Sequence, residues 1–402
     1  MRNNFLSKLC LAIVGIIFAS CSEKGDNTVK FTLYGTDMQV RFDVSKRVAV
    51  KDGSKEECNK CLKWIETSTK ETLEDCQRIK QELNLSDWAY LRMLDRFATA
   101  SLDSTNEAVL LMYSLLTQSG YGALINAVSS GKLLMSYQSD AFVYSKVFYN
   151  YNDKNYYLYG DSISMDDTFI RVAKEGKPID FRYQGEMKLA YKATKPRTIR
   201  SIKNHDFAFT FQMNKNLVDY YGDVPSVSYN KNFMTRWAII ANYPLEQQLK
   251  DSLVTPMKKK LEGLSQKDAV QQILWWTHGG VDLEKENPSQ DTFLYAYDED
   301  VWGYDRAFCA EETLYYPYCD SEDRAILFSR LVRDVVGLDV ALVYYPGHLA
   351  TAVCFTEESV KGDFLMVDNR RFIICDPTYI GSNVGETMPN MNNEETTVIM
   401  IK

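Results

Sequence analysis

The sequence predicts an α+β protein, and three observations predict it. Apolar residues recur at the helical period from about Glu56 to Leu116, with Trp64, Leu73, Leu83, Trp88, Leu91, Leu94 and Phe97 as markers, and a second helical stretch runs from Pro244 through Trp276. From 165 to 243 the period is two, clearest in Phe207, Phe209 and Phe211 and in Met187, Leu189 and Tyr191. The last hundred residues read helix, strand, strand, strand, ending in Cys375-Asp376-Pro377-Thr378.

Composition bounds the function. The chain has 402 residues, 45% of them hydrophobic and 25% charged, which excludes a disordered chain and allows two or three domains with cores of their own. With 46 basic and 54 acidic side chains the formal charge is −8, which argues against nucleic acid as the partner. Only three histidines are present, His205, His278 and His348, so a multi-histidine metal site is not expected. Nothing requires a metal or an organic cofactor.

The N-terminus reads as an address. Arg2 and Lys8 precede the apolar run Leu9–Ile17, which is too short for a comfortable membrane span, and Phe18-Ala19-Ser20-Cys21 follows. Ala19-Ser20-Cys21 resembles a bacterial lipobox, which implies that residues 1–20 are removed and Cys21 carries the lipid. Ser22 in place of Asp favours, by the same resemblance, delivery to the outer membrane, and 21–28 is the tether. Membrane contact is then through the lipid anchor alone, in the cell envelope and outside the cytoplasm.

The elements follow in order. Val29 to Val44 reads as a hairpin around Gly35-Thr36-Asp37, and the helical block comes next. Ala123 to Tyr159 is strand sequence rich in Tyr, Phe and Val, which closes a first α+β domain at 29–162. A β-rich module is expected over 163–243, and a C-terminal domain over 244–402. Cys58-x-x-Cys61, with Cys76 beyond, lies in helical sequence without a partner pair and is expected to be a helical surface pair, not a zinc site. Cys354 and Cys375 fall on candidate core strands.

Three C-terminal segments carry chemistry: Tyr318-Cys319-Asp320-Ser321-Glu322-Asp323-Arg324-Ala325, Tyr345-Pro346-Gly347-His348 and Cys375-Asp376-Pro377-Thr378-Tyr379. The first stands before an amphipathic helix with Ala325, Phe328, Leu331, Val332 and Val335 on its apolar face. A helix N-terminus offers free N–H groups that activate a nucleophile and hold an oxyanion. His348 begins one strand and Asp376 ends another, so neighbouring antiparallel strands can hold an Asp–imidazole pair beside the helix tip.

In order and spacing, Ser265 to Ile380 resembles the transglutaminase-like branch of the papain-like cysteine proteases, including Trp302-Gly303-Tyr304-Asp305-Arg306 and Glu311-Glu312. The resemblance implies a helix packed on an antiparallel sheet and acyl-transfer ancestry, with a peptidase, amidase or transamidase as the active forms. Relatives carry Asp-Cys-Glu-Asp-[Arg/Lys]-[Ala/Ser] at the helix start. Here Asp320-Ser321-Glu322-Asp323-Arg324-Ala325 puts Ser321 at the nucleophile position, with His348 and Asp376 matching the base and its orienting acid. Serine is a poorer nucleophile than a thiolate. Cys319 is the alternative nucleophile, although its place before the helix tip is expected to turn its sulfur from the oxyanion donors. Trp302 could donate to the oxyanion or serve as a core or rim residue.

An internal echo suggests a duplication. Asp103-Ser104-Thr105-Asn106-Glu107-Ala108 repeats the pattern of 320–325, and the next glycine lies 12 residues beyond the alanine in both places, at Gly120 and Gly337. Gly131-Lys132-Leu133 then matches Gly347-His348-Leu349, so Ser104, Lys132 and Asp161 are expected to stand where the triad stands, as a degenerate copy. Two functions follow: acyl transfer on a peptide or protein amide, or a pseudoenzyme surface that binds a peptide or a glycan.

Overall fold

The computed structural model describes residues 27–45, 47–160, 168–279 and 293–401. The signal, lipobox and most of the tether lie outside the described residues, as does Asp161.

Thr28–Leu33 and Thr36–Arg41 form the expected hairpin. Its turn is Tyr34-Gly35, one residue earlier than the sequence suggests, because both residues take positive φ (43° and 65°) and a two-residue turn fits the twist of the strands. Four helices follow at Lys55–Ser68, Lys70–Glu82, Asp87–Leu102 and Asn106–Gln118. Cys58, Cys61 and Cys76 sit on the first two of these, fully buried and unbridged. The Cys-x-x-Cys pair is therefore a core pair and not a surface pair: both thiols face the inner stripe that also buries Leu62 and Ile65.

The helix Asn106–Gln118 runs into a five-stranded antiparallel sheet. In chain order its strands are Ala123–Val128, Leu133–Gln138, Phe148–Tyr151, Lys154–Leu158 and Thr168–Lys174, and across the sheet they lie third, fourth, second, first, fifth. The helix Ser321–Leu331 runs into a second such sheet, with strands Asp339–Tyr345, His348–Cys354, Phe364–Val367, Arg370–Cys375 and Thr397–Met400. Their order across the sheet is again third, fourth, second, first, fifth. Both sheets are antiparallel throughout and curl around their helix.

The stretch between them is not a β-rich module. Thr168–Lys174 closes the first sheet, Arg197–Arg200 and Ala208–Phe211 make one hairpin, and Lys215–Asp223 and Arg236–Ala241 are helices. The alternation is real at Met187 and Leu189, which are buried while Lys188 and Ala190 are exposed, and it ends at Tyr191, which is exposed where the pattern puts it inside; the extended backbone forms no ladder. It is tied down instead by Lys188 N–H on Leu83 O and Ala190 N–H on Thr36 Oγ1. Alternation reports an extended chain over a core; pairing needs a neighbouring edge.

The helix Ser321–Leu331 is buried more completely than its amphipathic pattern suggests. Ala325, Ile326, Leu327, Phe328 and Leu331 are all inaccessible, because the second sheet covers one side and the helices Arg236–Ala241 and Gln266–Thr277 cover others. Full burial of Phe328 alone stabilises by about 2–3 kcal/mol. This packing fixes where Ser321 sits. Among the described residues no helix is long and apolar enough to cross a membrane, and no cluster of three metal-ligating side chains occurs.

Candidate functional site

The site is built on a capped helix tip. Asp320 is the N-cap, and its carboxylate accepts from Glu322 N–H (3.1 Å) and Asp323 N–H (3.5 Å); Asp323 accepts in return from Asp320 N–H (3.2 Å) and from Phe308 N–H (2.7 Å). Ser321 is thus the first helical residue. Its own N–H is outside the capping box and has no partner among the described residues, as an oxyanion donor requires.

His348 opens its strand after Gly347, whose φ of 79° allows the tight entry. The strand Arg370–Cys375 pairs beside it, with Thr351 opposite Cys375, so the chain delivers Asp376 next to the imidazole. His348 Nε2 lies 2.8 Å from Asp376 Oδ2, and both residues are buried. Asp376 also caps its turn: Oδ1 accepts from Thr378 N–H (2.9 Å) and Tyr379 N–H (3.2 Å). With Nε2 held, His348 Nδ1 is left as the second ring nitrogen.

Ser321, His348 and Leu349 line one cleft of about 280 Å³. Ser321 Oγ donates to Glu322 Oε2 (2.7 Å) and accepts from Leu349 N–H (3.3 Å). Among the described residues it makes no hydrogen bond with His348. The Ser321 hydroxyl is therefore oriented by a neighbouring carboxylate and not by the imidazole.

Carboxyl groups crowd this cleft. Burial raises Asp298 to about 7, with the charges of Glu322, Asp305 and Glu299 adding to it. Burial raises Asp320 as well, reinforced by Glu322 and Asp298, and Asp323 is pushed up by burial and then by Asp320. Beside Asp376, His278 caps the helix Gln266–Thr277 and is fully buried. Its Nδ1 accepts from Gly381 N–H (3.3 Å), which makes Nε2 the donor to Asp376 O (3.0 Å). Burial lowers its pKa to about 4, so it is neutral and fixes the backbone that carries Asp376.

The other predicted site residues are elsewhere. Cys319 lies in a two-residue strand paired in parallel with Leu294–Tyr295, buried and away from the cleft lining; its Sγ accepts from Arg324 Nε (3.3 Å). Trp302 packs against Phe308 and Tyr316, with ring centroids 5.8 and 4.9 Å away, and does not line the cleft. Sequence reasoning missed Arg236 and Trp237, which do line it, and assigned no site role to Glu322, which lines it as well. A larger cavity of about 810 Å³ adjoins, sharing Phe233, Arg236 and Asp305 with the cleft.

The first sheet shows what the same position looks like without the His348–Asp376 pair. Asn106 is the first helical residue after the cap Thr105, and its Oδ1 accepts from Leu133 N–H (2.8 Å) as Ser321 Oγ accepts from Leu349 N–H. Its Nδ2 also donates to Gly131 O (2.9 Å). Asn106, not Ser104, therefore occupies the Ser321 position, and Ser104 lies before the cap. Lys132 stands at the position equivalent to His348 and is exposed. The pairing of Ser136 with Leu158 matches that of Ala352 with Ile374, which puts Gly160 at the Asp376 position.

No protein-family model matches the chain, and no curated protein matches it.

Proposed function

We propose that this chain is an outer-membrane lipoprotein, anchored through Cys21, whose transglutaminase-like C-terminal domain binds a peptide amide in the Ser321 cleft and turns it over slowly or not at all. The two halves are duplicated copies, of which the first is scaffold. The observation that carries the reading is the Ser321 hydroxyl. It sits at the helix tip beside an intact His348–Asp376 pair, yet its proton is directed to Glu322 Oε2. A cleft with oxyanion donors and an oriented imidazole still fits an amide, while a serine without contact to its base is not activated.

The test compares the mature protein with Ser321→Cys and His348→Ala for peptide binding and for amidase and amine-incorporation activity under reducing conditions. The expected result is binding by the unmodified protein, and a gain of about a hundredfold or more in turnover on Ser321→Cys that His348→Ala removes. Turnover by the unmodified protein at the rate of the cysteine variant overturns the reading.

A second reading has its own support: the His348–Asp376 pair is buried at 2.8 Å with both carboxylate oxygens engaged, which is how a working base is held. In it Ser321 rotates from Glu322 to His348 when substrate enters, and the same measurement decides.

A further inference from the structure

Two hydrogen-bond donors at the Ser321 cleft have nothing to donate to. Arg236 and Trp237 open the short helix Arg236–Ala241, line the cleft, and are 6% and 2% exposed. Arg236 Nη2 donates to Asp305 Oδ2 (2.8 Å), but Nη1 is buried without a partner among the described residues, and so is Trp237 Nε1. Native proteins seldom leave buried donors unsatisfied, and each such group asks for an explanation.

The surroundings narrow what the missing acceptor is. The guanidinium packs against the rings of Phe233 and Trp237, 3.6 and 4.2 Å from their centroids, so what it has left to offer is its N–H edge. An edge with one nitrogen already on a carboxylate and another open takes a second acceptor, of which a carboxylate is the strongest. Of the carboxyls that line the cleft, Asp298 and Asp320 are held toward the neutral form by burial and so oppose it less. Trp237 is held by Tyr344 (centroids 5.6 Å apart), so the indole is fixed beside it. Asp305 is itself 44% exposed on its side chain, and water screens its compensation of the arginine charge.

Building on the peptide-binding reading above, we propose that Arg236 Nη1 and Trp237 Nε1 receive a carboxylate of the peptide whose amide lies against Ser321. The specificity of the cleft is then for peptides with an acidic group next to the reacting amide. That group is a C-terminal carboxylate or an acidic side chain. Arg236 also lines the larger cavity, so the rest of the peptide has room to continue past it.

Fluorescence polarisation with three labelled peptides tests this: tri-alanine as the free acid, tri-alanine as the amide, and Ala-Glu-Ala as the amide. The acid is expected to bind about ten- to a hundredfold more tightly than the amide. That preference disappears in Arg236→Gln and shrinks in Trp237→Phe, which keeps the ring and removes only the N–H. Tight binding of Ala-Glu-Ala amide assigns the carboxylate to a side chain; binding of the free acid alone assigns it to the C-terminus. Equal binding of all three overturns the proposal and leaves the peptide-binding reading standing. Binding of none, at millimolar peptide, overturns that reading and this proposal with it. If Arg236→Gln fails to fold by circular dichroism, the unmodified protein and Trp237→Phe decide.

Discussion

The two helix tips differ most in how they hold negative charge. In the first half Glu107 is the second helical residue. Burial opposes its ionisation, but Val50 N–H (2.9 Å), Thr105 and the Arg47 charge outweigh that and lower its pKa. In the second half Asp298, Asp320 and Asp323 are all raised, first by burial and then by one another or by Glu322. The first tip is electrostatically relaxed and the second is not. Perturbed carboxyls around a cleft are retained where a site needs them, because folding alone disfavours them. This contrast supports scaffold for one copy and a ligand site for the other.

Removing Glu107 from the first tip and Asp298 from the cleft beside the second should move stability in opposite directions. Asp298 has a folded pKa near 7 against 3.8 in a free side chain, so its cost is absent at pH 3.8 and below, grows as pH rises, and is complete above 7. Asp298→Asn keeps an acceptor for Arg306 N–H and should stabilise the protein by about 2–3 kcal/mol at pH 8.5, with little change at pH 4. Glu107 is lowered, so its stabilisation is present above its unfolded value of 4.5 and lost as pH falls; Glu107→Gln should destabilise at pH 8.5 and matter less at pH 4. Urea titrations at both pH values measure this. Shifts of the same sign at pH 8.5 would erase the contrast.

A smaller effect separates the two equivalent residues themselves. Asn106 makes hydrogen bonds of 2.8 and 2.9 Å that fasten the helix tip to the second strand of its sheet. Asn106→Ala strands Leu133 N–H and Gly131 O and should cost about 2 kcal/mol. Ser321 holds Leu349 N–H only at 3.3 Å, and Ser321→Ala should cost less than about 1 kcal/mol. Chemical denaturation of both variants checks the ranking. A larger loss from Ser321→Ala would make Ser321 the structural residue and sink its role as a site residue.

What the sequence showed, and what it hid, follows the same division between local and distant causes. The capped start at Asp320-Ser321, the strand opening at His348 and the strand end at Asp376 are written in short stretches with their own turn chemistry, and all three were legible. So was the repeat of helix and strands. Its register was not: Ser104 and Asp161 were matched where Asn106 and Gly160 stand, because helix caps and strand pairing set equivalence while intervening loops change length. Arg236 and Trp237 were invisible for another reason. They come from a six-residue helix far upstream, inside a stretch whose alternation suggested strands, and only the packing of that helix on Ser321–Leu331 brings them to the cleft.

Trp302 gives the smallest and sharpest comparison, because the sequence offered an indole N–H to the site at Trp302, whereas the indole that lines the cleft is Trp237. Trp302 lies at the end of a short helix and packs in a cluster with Phe308 and Tyr316, outside the cleft lining. Trp302→Phe keeps an aromatic edge against both neighbours and should cost no more than about 1 kcal/mol of stability. It should leave the affinity for tri-alanine free acid within about twofold, whereas Trp237→Phe, which changes one buried N–H at the cleft, lowers it several-fold while melting at nearly the same temperature. Polarisation titrations of the two variants side by side measure the difference. If Trp302→Phe lowers affinity as much as Trp237→Phe does, Trp302 also meets the ligand, and the acceptor group contacts a different wall of the cleft.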